Sequence, residues 1–425
     1  MNVKLHFGLL AAIVAQVFCG FTANAQTTNP GCDGTRYVQK TFTVNAAPTT
    51  VTYGRNTGAT GAQQSLKMDI YQPDNDAAAT ARPVLILAFG GSFITGTRAD
   101  AATVKICKAW AARGYVTVSI DYRLYSIVAQ GLPDSLKFGN VVTKAVSDMK
   151  AAVRWMRKSA ATGNPYRINP DIILAGGISS GSITAMHAAY LTDDNDAGPF
   201  IKPYIVQNGG IRGNTDDPAG STLAYSESIQ GIVDYMGGLY RSDILDAGEV
   251  PIASIHGDAD ATVPYGFGYA VVSGINIISI NGSKNVYNRA NTVGVPAKLI
   301  RVPGGGHGDF FSNATWMDSI ENTSVRLMYD NVVCPYVATQ NAAGNAQVSV
   351  YPNPTSDAFF VSLNELQANY TVNVTDALGR VVRTLHTTDS TVRISRDGLP
   401  QGAYFVQIKF DDAHYKPITS KVVFE

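Results

Sequence analysis

Between residues 65 and 163 the chain switches repeatedly between short apolar runs and longer stretches of helical period. "SLKMDIYQP" and "YVTVSIDYRL" read as strands, "PVLILAFGG" as a buried strand, and "ATVKICKAWAARG" as a helix. "VTKAVSDMKAAVRWMRKSA" predicts a long amphipathic helix with Val146, Met149, Val153 and Met156 on one face. Continuous apolar strands between helices predict a mostly parallel sheet covered by helices on both faces, an α/β fold. Residues 172–175 predict the next strand, and "SITAMHAAYL" the helix after it.

Near residue 338 the pattern changes. Residues 338–347, "ATQNAAGNAQ", are small and polar without periodicity and read as a linker. Beyond them "VSVYPNP", "AFFVSLN", "TVNVTDALGRVVRTL", "TVRISRDGL", "AYFVQIKF" and "SKVVFE" are short alternating runs between turn residues, which predicts a small all-β sandwich. At the other end, Lys4 and His6 precede an apolar run, residues 7–21, that ends in "ANA", the pattern of a cleaved signal peptide. That run is short of the ~20 apolar residues of a membrane span. The expected organisation is a signal peptide (1–25), an α/β domain (26–337), a linker (338–347) and a β-sandwich (348–425).

Charged residues are 16% of the 425, with 33 acidic against 33 basic, so nothing draws the protein toward nucleic acid or anionic lipid. Polarity supplied by Ser, Thr, Asn and Gly suits a secreted surface. Cys32 and Cys334 stand near the two ends of the α/β domain, where an oxidising compartment would allow a staple, and Cys107 sits in a helical pattern as a small hydrophobe. No Cys or His spacing suggests a zinc site.

The chemistry gathers at "ILAGGISSGS". A serine hydroxyl becomes a nucleophile only with a base beside it, a third group orienting that base, and donors for the oxyanion. Gly177, Ser179 and Gly181 fill a G-x-S-x-G turn between strand and helix, which selects Ser179 over Ser180 and gives Ser180 an oxyanion-hole N–H. A phosphate-binding loop would want a Lys before the helix, where Ser182 and Ile183 stand. His187 falls within a helix and His256 ends a strand. His307, flanked by glycines in "GGGHG", is therefore the expected base. Asp258 and Asp260 compete as the acid, and both could instead cap a turn. A hard-cation site built from Asp258, Asp260 and Asp309 is the weaker reading of the same carboxylates. Upstream, "FGGSF" follows a strand and offers Gly91 and Ser92 as further oxyanion donors. Phe89, Phe93, Tyr265 and Phe310 neighbour these motifs, either as an apolar substrate pocket or as core.

"LKMDIYQP", "FGGSF", "DYRL", "AAVRWMRKSA", "GISSG", "HGDADATVP" and "GGGHG", in this order, resemble the α/β-hydrolase superfamily near its carboxylesterase and hormone-sensitive-lipase-like branches. The resemblance favours Asp260, three residues before "VP", as the acid, and makes "DYRL" architectural, with Arg123 tying loops together. The chain departs from the family's H-G-G-G oxyanion motif, with Phe89 for the His and Ser92 for the third Gly. No long apolar lid helix is predicted before Asp260, so an open-site esterase is expected rather than an interfacially activated lipase. "VYPNPTSD", "VTDALGRVV" and "GLPQGAYFVQI" are similar to the sorting domain of the type IX secretion system of some Gram-negative bacteria. That likeness implies export across the outer membrane, with the secretion machinery as partner and removal of the domain on arrival. A carbohydrate-binding sandwich would present aromatic platforms, yet no Trp follows Trp316.

The expected protein is a secreted serine esterase that uses Ser179, His307 and Asp260 with N–H groups of Gly91, Ser92 and Ser180, and needs no metal or organic cofactor. Polyesters and plant cell-wall esters fall within this substrate range. Two alternatives are a prolyl-oligopeptidase-type peptidase and a non-catalytic binding protein on a hydrolase scaffold. The first normally carries a large propeller domain, and only residues 26–65 precede the hydrolase pattern. The second usually loses a triad residue, and none is missing here.

Overall fold

The computed structural model describes residues 32, 34–76, 81–193, 196–334, 347–364, 369–377, 379–410 and 418–425. The expected signal peptide, and residues 338–346 of the expected linker, lie outside the described residues. The chain divides into two compact units, Met1–Cys334 and Pro335–Glu425.

The first unit is built on strands β1 (Thr49–Thr57), β2 (Gln63–Tyr71), β3 (Arg82–Ala88), β4 (Val116–Ile120), β5 (Ile168–Ile178), β6 (Ile232–Tyr235), β8 (Ile252–Gly257) and β11 (Ala297–Val302). They form one sheet in the order β1-β2-β4-β3-β5-β6-β8-β11. The run from β4 to β11 is parallel, and β2 and β1 extend it antiparallel. All seven residues of β3 are buried. Its side chains alternate between two cores, with Val84, Ile86 and Ala88 on one side and Leu85 and Leu87 on the other. The unbroken apolar run is thus the pattern of a strand covered twice.

Helices α1 (Ala101–Ala111) and α7 (Ala314–Met328) cover the second face, where Ile106, Trp110, Met317, Ile320 and Met328 pack. The first face carries α3 (Ser135–Ala161), α4 (Ser180–Tyr190), α5 (Gly198–Gln207) and α6 (Ser283–Thr292), with the one-turn α2 (Ile127–Gln130) ahead of α3. Every residue of α4 is buried, so this helix is an interior element instead of an amphipathic cover. The sequence patterns did not predict β1, β6, α2, α6 or α7, nor α5 and a three-stranded sheet of β7 (Gly238–Leu239), β9 (Phe267–Val272) and β10 (Ile275–Gly282) in the order β7-β10-β9. Cys32 and Cys334 form a disulfide with Cα atoms 5.6 Å apart, and Cys107 is free and buried. Burial pushes the Cys107 thiol well above its ordinary pKa, as expected of a packed hydrophobe.

The second unit has strands β12 (Gln347–Tyr351), β13 (Ala358–Asn364), β14 (Tyr370–Asp376), β15 (Val381–Thr387), β16 (Thr391–Ser395), β17 (Gly402–Phe410) and β18 (Ile418–Phe424). They make antiparallel sheets β12-β13-β16 and β15-β14-β17-β18 around their own core, which includes Phe359, Val361, Val372, Val406 and Val422. Among the described residues no helix is long and apolar enough to cross a membrane.

Candidate active site

The parallel strands end together, and the loops that follow them bring distant residues to one place. The turn from β5 to α4 is the tightest of these connections. Ser179 has φ 53° and ψ −115°, a left-handed conformation that a side chain rarely adopts. The turn is anchored by the Ser179 N–H, which donates to the Tyr235 carbonyl at 2.8 Å, and by the Ile183 N–H, which donates to the Ser179 carbonyl at 2.9 Å. Its glycines are required by close packing: a Cβ on Gly181 would overlap the Ala88 carbonyl, and one on Gly177 would overlap the Gly181 backbone.

His307 reaches Ser179 from the loop after β11. Its Nδ1–H donates to Asp260 Oδ2 at 2.6 Å, which leaves Nε2 to accept the Ser179 hydroxyl at 2.9 Å. The loop itself is pinned on both sides. Gly304 N–H donates to Asp258 Oδ1 at 2.6 Å, and Gly306 N–H donates to Asp309 Oδ2 at 2.7 Å. Asp258, the rival acid, is occupied further by Arg301 on β11, and that guanidinium together with the Gly304 N–H holds its carboxyl below the ordinary carboxylate range. The three carboxylates weighed as a cation site therefore serve separate partners, and no group of three or more metal-type side chains converges among the described residues.

Asp260 has a fully buried side chain. Burial alone would raise its pKa, but hydrogen bonds from His256 and His307, the nearby His307 charge and the Thr262 N–H outweigh it and hold the carboxyl well below the usual range. Oδ1 accepts the Thr262 and Val263 N–H groups at 2.8 and 3.0 Å, so the carboxylate plane is set by backbone.

The loop after β3 carries Gly91 at φ 125°, followed by Ser92 and Phe93 at φ 54° and 60°. Its carbonyl at Gly91 accepts the Ile94 and Thr95 N–H groups, while the Gly91, Ser92 and Ser180 N–H groups donate to no acceptor among the described residues. Tyr122 ties this loop to the elbow: its hydroxyl donates to the Phe89 carbonyl at 2.9 Å and lies 3.1 Å from Ser180 Oγ. Phe89 stacks on the Tyr122 ring with centroids 4.4 Å apart, so the position that departs from H-G-G-G is an aromatic anchor inside the core. Arg123 is buried against Asp148 and also reaches Thr215 and the Lys144 carbonyl, consistent with a tie between loops.

Of the four aromatic pocket residues named from sequence, Phe89 and Phe310 are core, each 1% exposed. Tyr265 lies edge-on to the His256 ring, and Phe93, as buried as Phe89 and Phe310, is the one of the four that lines an apolar cavity. That cavity runs from Phe93 and Ile183 to Ile201 and Ile205 on α5 and Ile278 on β10; Ile183 lies one turn past Ser179, and Ser179, Asp260 and His307 are not in its lining. His187, also on its wall, donates from Nδ1 to the Ile183 carbonyl and accepts the Tyr240 N–H at Nε2. Burial lowers its pKa, so it is a neutral packing group. The sequence reading missed Tyr122, His256 and Asp234 as neighbours of the chemistry; Tyr122, in "DYRL", and His256, in "HGDAD", lay within quoted motifs, and Asp234 in none.

A mostly parallel sheet with a strained serine turn after one strand and a histidine loop after the last defines an α/β-hydrolase. Residues 68–240 match the BD-FAE family, an esterase/lipase-like domain, and residues 349–425 match the secretion-system C-terminal sorting domain. Over 197 residues it is 25% identical to secreted lipase 5 of Gibberella zeae, covering 43% of this chain and 35% of that one. It is also 23% identical over 129 residues to a non-reducing polyketide synthase of Stereocaulon alpinum, covering 30% and 5% of the two chains. The chain thus spans about a third or less of the curated relatives it matches. Among solved structures it is similar to the propionate-bound thermophilic esterase of Thermogutta terrifontis, with TM-score 0.48, 19% identity and coverage of 68% of this chain and 96% of that one. The same esterase phosphorylated by paraoxon gives TM-score 0.48, 20% identity and the same coverage.

Proposed function

We propose that the protein is an exported serine hydrolase of carboxylic esters. The observation that carries this reading is the unbroken chain from Ser179 Oγ to His307 Nε2 at 2.9 Å and from His307 Nδ1 to Asp260 Oδ2 at 2.6 Å, at the end of a strained turn. His307 removes the hydroxyl proton as Ser179 Oγ attacks the ester carbonyl, and Asp260 stabilises the imidazolium that forms. The tetrahedral oxyanion is received by the N–H groups of Gly91, Ser92 and Ser180. Collapse expels the alcohol, which takes its proton from His307. Water, deprotonated by the same His307, then cleaves the acyl-enzyme and restores Ser179. The acyl chain lies in the apolar cavity that Phe93 and Ile183 line. The C-terminal unit directs export, and residues 1–25 serve as the signal peptide.

The test is hydrolysis of short-chain and medium-chain p-nitrophenyl esters by the full chain. Ser179→Ala removes the nucleophile and lowers kcat by about 10³-fold or more, whereas Ser180→Ala keeps the oxyanion N–H and stays within about 10-fold. Equal loss in both variants, or none in Ser179→Ala, contradicts the assignment.

A further inference from the structure

Behind Asp260 the hydrogen bonds continue into the interior, away from Ser179. His256 on β8 is fully buried, as are Asp234 on β6 and Ser283 at the start of α6. Three donors converge on the Asp234 carboxylate. Oδ1 accepts the Ser182 hydroxyl at 2.5 Å and the Gly237 N–H at 2.7 Å, and Oδ2 accepts the Ser283 hydroxyl at 2.6 Å. Such convergence is the setting of an ionised acceptor. Ser283 has one proton, and Asp234 takes it. The 2.7 Å contact between Ser283 Oγ and His256 Nδ1 then requires a proton on Nδ1. At the other side of the ring, Nε2 faces two acceptors, the Val263 carbonyl at 3.0 Å and Asp260 Oδ2 at 3.2 Å, which require a proton on Nε2.

We propose that His256 carries protons on both ring nitrogens and is a positioning residue for the triad, a buried cation set between Asp234 and Asp260 that fixes the charge Asp260 presents to His307. The proposal rests on the serine-hydrolase reading and deepens it. The cation serves two ends. It compensates two buried carboxylates, of which Asp234 has no ion pair with a Lys or Arg side chain among the described residues. It also shares Asp260 Oδ2 with His307, so it turns that oxygen toward the catalytic ring and opposes gain of a second proton there. The other charged groups near this chain sit further toward the surface. Lys284 lies over the Tyr265 ring, and Arg301, beside His256 in the β8–β11 register, is exposed and paired with Asp258. Asp309 is engaged by Gly306.

Two measurements on the full chain test this. The first is the pH profile of kcat/KM on a p-nitrophenyl ester for wild type, His256→Asn and Asp234→Asn. Loss of the cation, directly or through loss of the anion that holds its proton, moves the low-pH limb upward in both variants by on the order of one pH unit. A merely structural role lowers kcat or stability without moving the limb. If Asp234 instead holds the proton and His256 is neutral, asparagine reproduces the donor and Asp234→Asn keeps both its limb and its kcat/KM; either result overturns the proposal. The second is ¹⁵N-histidine NMR of the wild type above pH 8, where an unperturbed histidine, of pKa about 6.5, is neutral. One ring with imidazolium shifts at both nitrogens is expected, and its absence overturns the proposal even if the variants fail to fold. Because NMR needs no turnover, an absence of ester hydrolysis would reject the catalytic reading separately from the protonation state.

Discussion

Two aspartates two residues apart in "HGDAD" illustrate what a residue's type leaves open and its neighbours decide. Asp258 Oδ2 meets Arg301 on the adjoining strand, and its other oxygen pins the histidine loop through Gly304. Asp260 meets His307 and two backbone N–H groups. Exchange of Asp260 for Asn preserves shape but lets the side-chain amide hold His307 in the wrong tautomer, so kcat falls by about 10⁴-fold. The same substitution changes acid stability. Hydrogen bonds from two histidines and backbone hold the folded-state pKa of Asp260 below its unfolded value of about 3.9 despite burial. Its contribution is therefore fully present above pH ~4 and is lost as pH falls further. Urea midpoints at pH 6, 4 and 3 should drop less steeply below pH 4 in Asp260→Asn than in wild type. Equal slopes would show that Asp260 gains nothing from its partners on folding.

At the scale of elements, those with one dominant period were legible in the chain. The run over β3 is buried on both faces, and the stripe of α3 packs Met149, Val153 and Met156 on the core. The elbow was legible because Gly177 and Gly181 are demanded by backbone contact, a constraint that survives in sequence as residue type. α5 was not, because Gly198 and the interior Pro203 argue against a helix, and burial of Ile201 and Ile205 overrides them; Pro199 sits in the first turn, where its missing N–H costs nothing. The β9–β10 hairpin was hidden too: its turn at Ser273 and Gly274, both at positive φ, joins strands that mix exposed, half-buried and buried positions without a clean alternation. The link from His256 to Asp234 runs through Ser283 and depends on β6, β8 and the start of α6 coming together, which no local pattern records. α5 and this hairpin both wall the apolar cavity, so its shape was the least legible property. Ile201→Phe would fill that cavity from α5, and kcat/KM for an octanoate ester should fall at least several-fold relative to the acetate ester. An unchanged ratio would place the acyl chain elsewhere.

Across the whole molecule, the hydrolase unit is closed by one covalent tie, the Cys32–Cys334 disulfide, which spans a sequence separation of 302 residues. Both cysteines flank the second core, where Tyr329 and Val333 are buried beside Cys334 and the Tyr329 hydroxyl accepts the Gly34 N–H at 2.8 Å. The tie thus fastens the start of the described chain to the end of the unit, just before the segment leading into the sorting domain. Restricting so long a loop in the unfolded chain stabilises by about 2–5 kcal/mol. The remaining described thiol, Cys107, is buried and cannot substitute in a new pairing without unfolding. The C-terminal unit contains no cysteine and has its own core. Calorimetry of the full chain with and without a reducing agent should therefore lower the melting transition of the hydrolase by roughly 5–15 °C, since about 1 kcal/mol moves a domain of this class by a few degrees. The transition of the β unit should stay where it was. Cys32→Ser with Cys334→Ser should reproduce the reduced hydrolase transition under oxidising conditions, because it removes the same constraint. Ester turnover at 25 °C should persist in that variant, since the disulfide makes no contact with Ser179, His307 or Asp260. A lost activity with an unshifted melting temperature would instead mean that the tie holds the site's geometry and not the fold's stability.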